Sequence, residues 1–167
     1  MAAEPGTRLM RRVLIGLFEG DEPSGLAQLT RLIGLARLQG AAVRVAYFHS
    51  IPRDRTDRHD RVIADRYREM VRIEEAMRED VARLLRAAGR PPVEVVVRFG
   101  APVAEVEREV ETFAADAVAF APGGSLKARW RTWRIRQRFA SARGVRLLVL
   151  EGPAGARRAT EVAMRPA

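Results

Sequence analysis

At 167 residues, 47% of them hydrophobic, the chain has the length of a single domain and enough apolar side chains for one sizeable core. It has no cysteine, which excludes disulfides, thiolate nucleophiles and cysteine metal sites and fits a reducing, cytoplasmic location. Its 30 basic and 21 acidic residues give a net charge of +9, and the excess is local: Lys127, Arg129, Arg131, Arg134, Arg136, Arg138, Arg143 and Arg146 share one segment, 125–146, with no acid in it.

Residues 1–11 lack the apolar run of a signal peptide and read as a tail. The run Val13 to Phe18 is too short to span a bilayer. From there to residue 152 short apolar runs alternate with segments of helical period, the pattern of a parallel sheet with crossover helices. The first strand, RRVLIGLF, ends at Phe18. The turn residues Glu19 to Ser24 follow, and then Leu26, Leu29, Leu32, Ile33, Leu35, Ala36 and Leu38 recur at helical spacing up to Gly40.

The second strand is AVRVAYFHS, and the stretch IPRDRTDRHDR after it reads as a solvated loop. The spacing next predicts a long amphipathic helix with Ile63, Tyr67, Met70, Met77, Val81, Leu84 and Ala88 on one stripe, stopped by Gly89 and Pro91-Pro92. A third strand, PVEVVVRFG, leads through Gly100-Ala101-Pro102 into a helix from Val103 to about Ala115. The fourth strand, DAVAFA, runs into Gly123-Gly124 and the basic segment, and the fifth, VRLLVLEG, closes the sheet. Residues 153–167 have weak periodicity and read as a mobile tail.

This succession resembles the universal stress protein family over roughly residues 12–152. The resemblance rests on the acid-Gly turn Glu19-Gly20, His49 at the end of the second strand, the Gly100-Ala101-Pro102 junction and Asp116 before the fourth strand. It implies an open α/β sheet of five parallel strands in the order 3-2-1-4-5 with helices on both faces, Rossmann-like and similar to the adenine nucleotide hydrolase-like folds. It also implies a homodimer joined through the last strand, 145–150. In such sheets ligands bind outside the carboxyl ends of the strands where the order reverses, so Glu19, Gly20, Gly123 and Gly124 would face one crevice.

In nucleotide-binding members the pattern Gly-x2-Gly-x9-Gly-Ser/Thr wraps the phosphates. Glycines let the backbone approach phosphate oxygens, and the final hydroxyl opens a helix whose positive end faces the anion. Anchored on Gly124, this chain offers Ala121, Gly124, Arg134 and Ile135; aligned backwards from the fifth strand, it offers Trp133 and Arg134 for the final pair. Neither register restores the motif, so ATP is not expected as a cofactor. The alternative is a nucleotide or anion held by Gly123-Gly124 and arginine side chains.

Within the basic segment, Ala128, Thr132, Ile135, Phe139 and Ala142 fall on one helical face, and Lys127, Arg131, Arg134 and Arg138 form a flank. Leu126, Trp130 and Trp133 fall on the opposite side. The family pattern starts this helix near Thr132, which places Leu126 and Trp130 in a loop folded over the vacant crevice. Arg129 and its basic neighbours, interleaved with Trp130 and Trp133, also suit nucleic acid, or an anionic membrane surface or acidic protein partner.

No catalytic residue is expected, and any ATP hydrolysis would be weak. His49 and His59 lack metal-ligand spacing, so no metal is expected. The acid pairs Glu74-Glu75, Glu79-Asp80 and Glu107-Glu109 read as solvated helix faces. The reading is of a stress-response or regulatory domain without turnover.

Overall fold

The segment RVLIGLF is apolar on both sides of a period-two alternation, which suits a strand covered on both faces. It forms β1 (Arg12–Phe18), the central strand of the sheet. The computed structural model describes residues 9–140 and 144–150. The expected tail 153–167, the domain end at 152, most of the tail 1–11, and Arg143 lie outside the described residues.

After β1 come α1 (Glu22–Leu38), β2 (Ala42–His49), β3 (Arg55–Thr56), β4 (Val62–Ala64), α2 (Arg66–Ala87), β5 (Glu94–Phe99), α3 (Pro102–Phe113), β6 (Ala117–Phe120), α4 (Leu126–Ala140) and β7 (Arg146–Val149). Five strands form one parallel sheet in the order β5-β2-β1-β6-β7. Counted without the small hairpin, this is the expected 3-2-1-4-5.

Alternation along β1 feeds two cores. Val13, Ile15 and Leu17 face Leu29 and Ile33 of α1 and Met77, Val81 and Leu85 of α2. Leu14 and Phe18 face Val106, Val110 and Phe113 of α3 and Ile135 and Phe139 of α4. Each fully buried side chain of this size stabilises the fold by roughly 1.5–3 kcal/mol. Asp116 fixes where β1 begins: its carboxylate accepts from the Arg11 N–H at 2.8 Å and the Arg12 N–H at 3.1 Å.

Four expectations need correction. The charged stretch after β2 is not wholly loop, because β3 lies within it and pairs antiparallel with β4 directly after it, and Ile63 lies in β4 rather than in the helix. The helix starts after Asp65, whose carboxylate caps the Tyr67 N–H at 3.0 Å. Tyr67, in the first turn of α2, is exposed, and Leu85 takes a place on the buried stripe with Met77 and Val81.

Glu109 is not solvated: it is fully buried and accepts from Arg44 Nη1 at 2.7 Å and Arg98 Nε at 2.6 Å. Finally, α4 begins at Leu126, not near Thr132. Ser125 accounts for this, since its hydroxyl accepts from the Ala128 N–H at 3.0 Å and caps the helix directly after the glycine pair.

Candidate functional site

The strand order reverses between β1 and β6, and their carboxyl ends open onto one mouth. Its floor is aromatic. Phe18 stacks on Phe48 at 5.3 Å between centroids and meets Phe120 edge-on at 5.5 Å. The chain leaves β1 through Glu19 and Gly20, where Gly20 takes a φ of 84°, a left-handed conformation that glycine adopts without strain. That turn delivers Asp21 to the start of α1, yet its carboxylate caps no N–H of the helix.

The carboxylate instead meets Arg131 of α4. Arg131 Nη2 donates to Asp21 Oδ2, and both residues are 6% exposed, so this is a buried ion pair. The Arg131 guanidinium also lies 4.3 Å from the centroid of the Phe18 ring, a cation–π contact strengthened by exclusion of water. Burial lowers the arginine's pKa from its usual value, and the charge and hydrogen bond of Asp21 oppose that fall. Among the described residues Arg131 Nε and Thr132 Oγ1 are buried without a hydrogen-bond partner.

The loop after β6 closes on the same pair. A Cβ on Gly123 would stand 2.5 Å from Asp21 Oδ1, so any side chain there must displace that carboxylate or the loop. Ser24 Oγ donates to the Pro122 carbonyl at 3.1 Å and ties α1 to this loop. Gly124, by contrast, has open space around it.

Beside the mouth, Glu19 Oε2 accepts from the Ser50 N–H at 3.0 Å and Ser50 Oγ at 2.7 Å, and Glu19 Oε1 lies 3.5 Å from His49 Nε2. Desolvation pushes the Glu19 pKa up, but the Ser50 bonds and the His49 and Lys127 charges outweigh it and hold the carboxyl below its usual value. The Ser50 hydroxyl bonds the carboxylate and not the imidazole, so this trio lacks the base-on-hydroxyl geometry of a nucleophilic triad. Deeper in, Tyr47 donates to Glu22 Oε1 at 2.5 Å, and burial together with Glu22 raises the phenol's pKa. Among the described residues no cluster of three His, Asp or Glu side chains could hold a metal ion.

Glu19 and Gly20 follow β1, and Gly123 and Gly124 follow β6, at the carboxyl ends of these two neighbouring strands. The basic and aromatic residues separate. Arg131 turns inward, while Lys127, Arg129, Trp130, Trp133, Arg134 and Arg138 remain exposed. Trp130 and Leu126 do not cover the mouth, because the early helix start carries them outward; the side chain that lies over Phe18 there is Arg131. Asp21 and the inward role of Arg131 were missed from sequence. The signal was present, since Arg131 follows Ala128 by three residues and precedes Ile135 by four, on the edge of the buried face.

The family model described as the universal stress protein family matches residues 10–131. A universal stress protein solved in complex with cAMP is 17% identical, with a TM-score of 0.57 over 86% of this chain and 98% of that one. The universal stress protein UspA from Lactobacillus plantarum is 16% identical, with a TM-score of 0.58 over 84% and 97%. No curated protein matches the chain.

Proposed function

The chain belongs to the universal stress protein family, and from that premise we propose that it is a regulatory member that works by association and whose nucleotide crevice is filled by its own Arg131. The buried Asp21–Arg131 pair over Phe18 carries this reading. A nucleotide seated between β1 and β6 would have to extract that guanidinium and leave Asp21 as an uncompensated buried charge, a cost of about 3–5 kcal/mol. The second support is the missing loop: α4 starts two residues after Gly124, so a helix stands where the phosphate-wrapping pattern needs nine residues of chain before its last glycine.

Absence of turnover is part of the same proposal, supported by the engagement of Ser50 with Glu19 rather than with a base. So is a cytoplasmic homodimer through β7, which is an edge of the sheet. Among the described residues no helix is long and apolar enough to cross a membrane.

The test is titration with ATP and with cAMP, the ligand of one solved neighbour. Millimolar additions are expected to leave tryptophan fluorescence and melting temperature unchanged. A saturable shift in either overturns the filled crevice and favours a retained anion site at the open backbone of Gly124.

A further inference from the structure

The filled crevice leaves the outward side of α4 without a purpose. Leu126, Trp130 and Trp133 follow one another at intervals of four and three residues, so they form a single stripe. They are 79%, 57% and 55% exposed. Two indoles kept in water on a 15-residue helix are a feature of recognition surfaces.

This surface is concave. Trp130 and Trp133 form one wall of a groove of ≈ 600 Å³, and Pro102, Val103 and Ala104 in the first turn of α3 form the other. Ala101 caps that turn without a side-chain hydrogen bond, so the Val103 and Ala104 N–H groups have no intrahelical partner, and the residues of this positive helix end line the groove. Arg131 also lines it and carries a buried Nε without a partner among the described residues.

Charge identifies the occupant. Lys127 and Arg134, both on the groove, form no ion pair among the described residues, and neither do Arg129 and Arg136 on the same helix. Leu126–Ala140 contains no acid. We propose that the groove docks an acidic peptide segment of a partner protein. A large apolar side chain sits between the indoles and the first turn of α3, and carboxylates meet Lys127, Arg134 and the free N–H groups. Lys127 and Arg134 stand about 10.5 Å apart along the helix, which acidic residues three apart on one face of a polyproline II segment span at about 9 Å.

Nucleic acid fits less well. Arg134 lies 4.8 Å from the centroid of the Trp130 ring and covers a face that a base would stack on. A membrane fits less well because the indoles line a concavity instead of projecting to a plane.

The experiment selects from a random 12-residue display library against the full chain, with Trp133→Ala/Arg134→Gln as the counter-selection. Enriched peptides are expected to be net negative with one large apolar residue. The best one, synthesised and labelled, should lose at least tenfold in affinity with the double variant. It should lose less than twofold with Arg129→Gln, which makes the same charge change off the groove. Circular dichroism and melting of each variant separate lost docking from lost folding.

The proposal is overturned if the enriched peptides show no acidic bias, or if Arg129→Gln costs as much as the double variant. It is also overturned if labelled dT20 or vesicles containing anionic lipid bind more tightly than the best peptide with the same sensitivity to the variants. Competition by millimolar ATP would overturn it too, whereas ATP binding without competition would refute only the filled crevice.

Discussion

Arg131 and Asp21 are 110 residues apart in the chain and meet as a buried ion pair over the ring of Phe18. The pair joins α4 to the turn after β1 at the place where related folds hold a ligand. A substitution on either side leaves the other charge buried and alone. Arg131→Met is expected to cost about 3–5 kcal/mol in urea unfolding, and Asp21→Asn/Arg131→Met much less than the sum of its single changes, since no charge is then stranded. Additive single costs would show that the two residues are not energetically coupled.

Gly123 should be intolerant for the same reason. A methyl group placed 2.5 Å from Asp21 Oδ1 must push the carboxylate off Arg131 or move the loop. Gly123→Ala is expected to destabilise by about 1–3 kcal/mol, and by much less in an Asp21→Ala background. An equal cost in both backgrounds would place the strain elsewhere.

Glu109 joins α3 to β2 and β5 through Arg44 and Arg98. Both arginines keep some access to water, at 17% and 36% side-chain exposure, so removing the carboxylate does not strand them. Glu109→Gln should therefore cost the charge-assisted bonds alone, about 1.5–3 kcal/mol by denaturant unfolding. An unchanged midpoint would contradict the role of Glu109 as a buried anchor.

The Glu19 carboxyl has a lower pKa in the folded chain than its ordinary 4.5. Its contribution to stability is thus complete above that value and is lost as pH falls through the lower, folded value. Melting temperature recorded between pH 7 and pH 3 should fall on the acid side, and Glu19→Gln should flatten that fall. A parallel curve for the variant would assign the acid limb to other carboxylates.

At the sheet edge, Arg146 and Leu150 donate their N–H groups inward, to Asp116 and Phe120. Alternation turns the Leu147 N–H outward, toward any neighbouring chain. Leu147→Pro removes that donor without touching the inner ladder, and light scattering is expected to report a monomer; Leu147→Ala, which loses the same packing against the core but keeps the N–H, should remain dimeric. A dimer persisting in Leu147→Pro would exclude pairing through β7.

The run of strands and helices was legible because the apolar strands are bounded by glycine and proline, whereas their order in the sheet came from the family resemblance. Helix starts were harder to read. Ser125 capping α4 and Asp65 capping α2 are single hydrogen bonds that no periodicity announces, and the first of them decides whether Leu126 and Trp130 are loop or helix. The burial of Glu109 escaped notice because its partners Arg44 and Arg98 come from strands whose register appears only once the sheet is assembled. In the site, the glycines and Glu19 could be placed from the turns, but the Asp21–Arg131 pair is a contact between distant segments and depends on the helix start.

The central position of β1 has a consequence for synthesis. One flank of the strand is covered by β2 within about thirty residues, but the other waits for β6, and the Arg11 and Arg12 N–H groups that bind Asp116 wait with it. Until some 120 residues have left the ribosome, Val13 to Phe18 present an unpaired apolar edge. A nascent fragment ending before β6 is thus the species of this chain most exposed to aggregation and most in need of a chaperone.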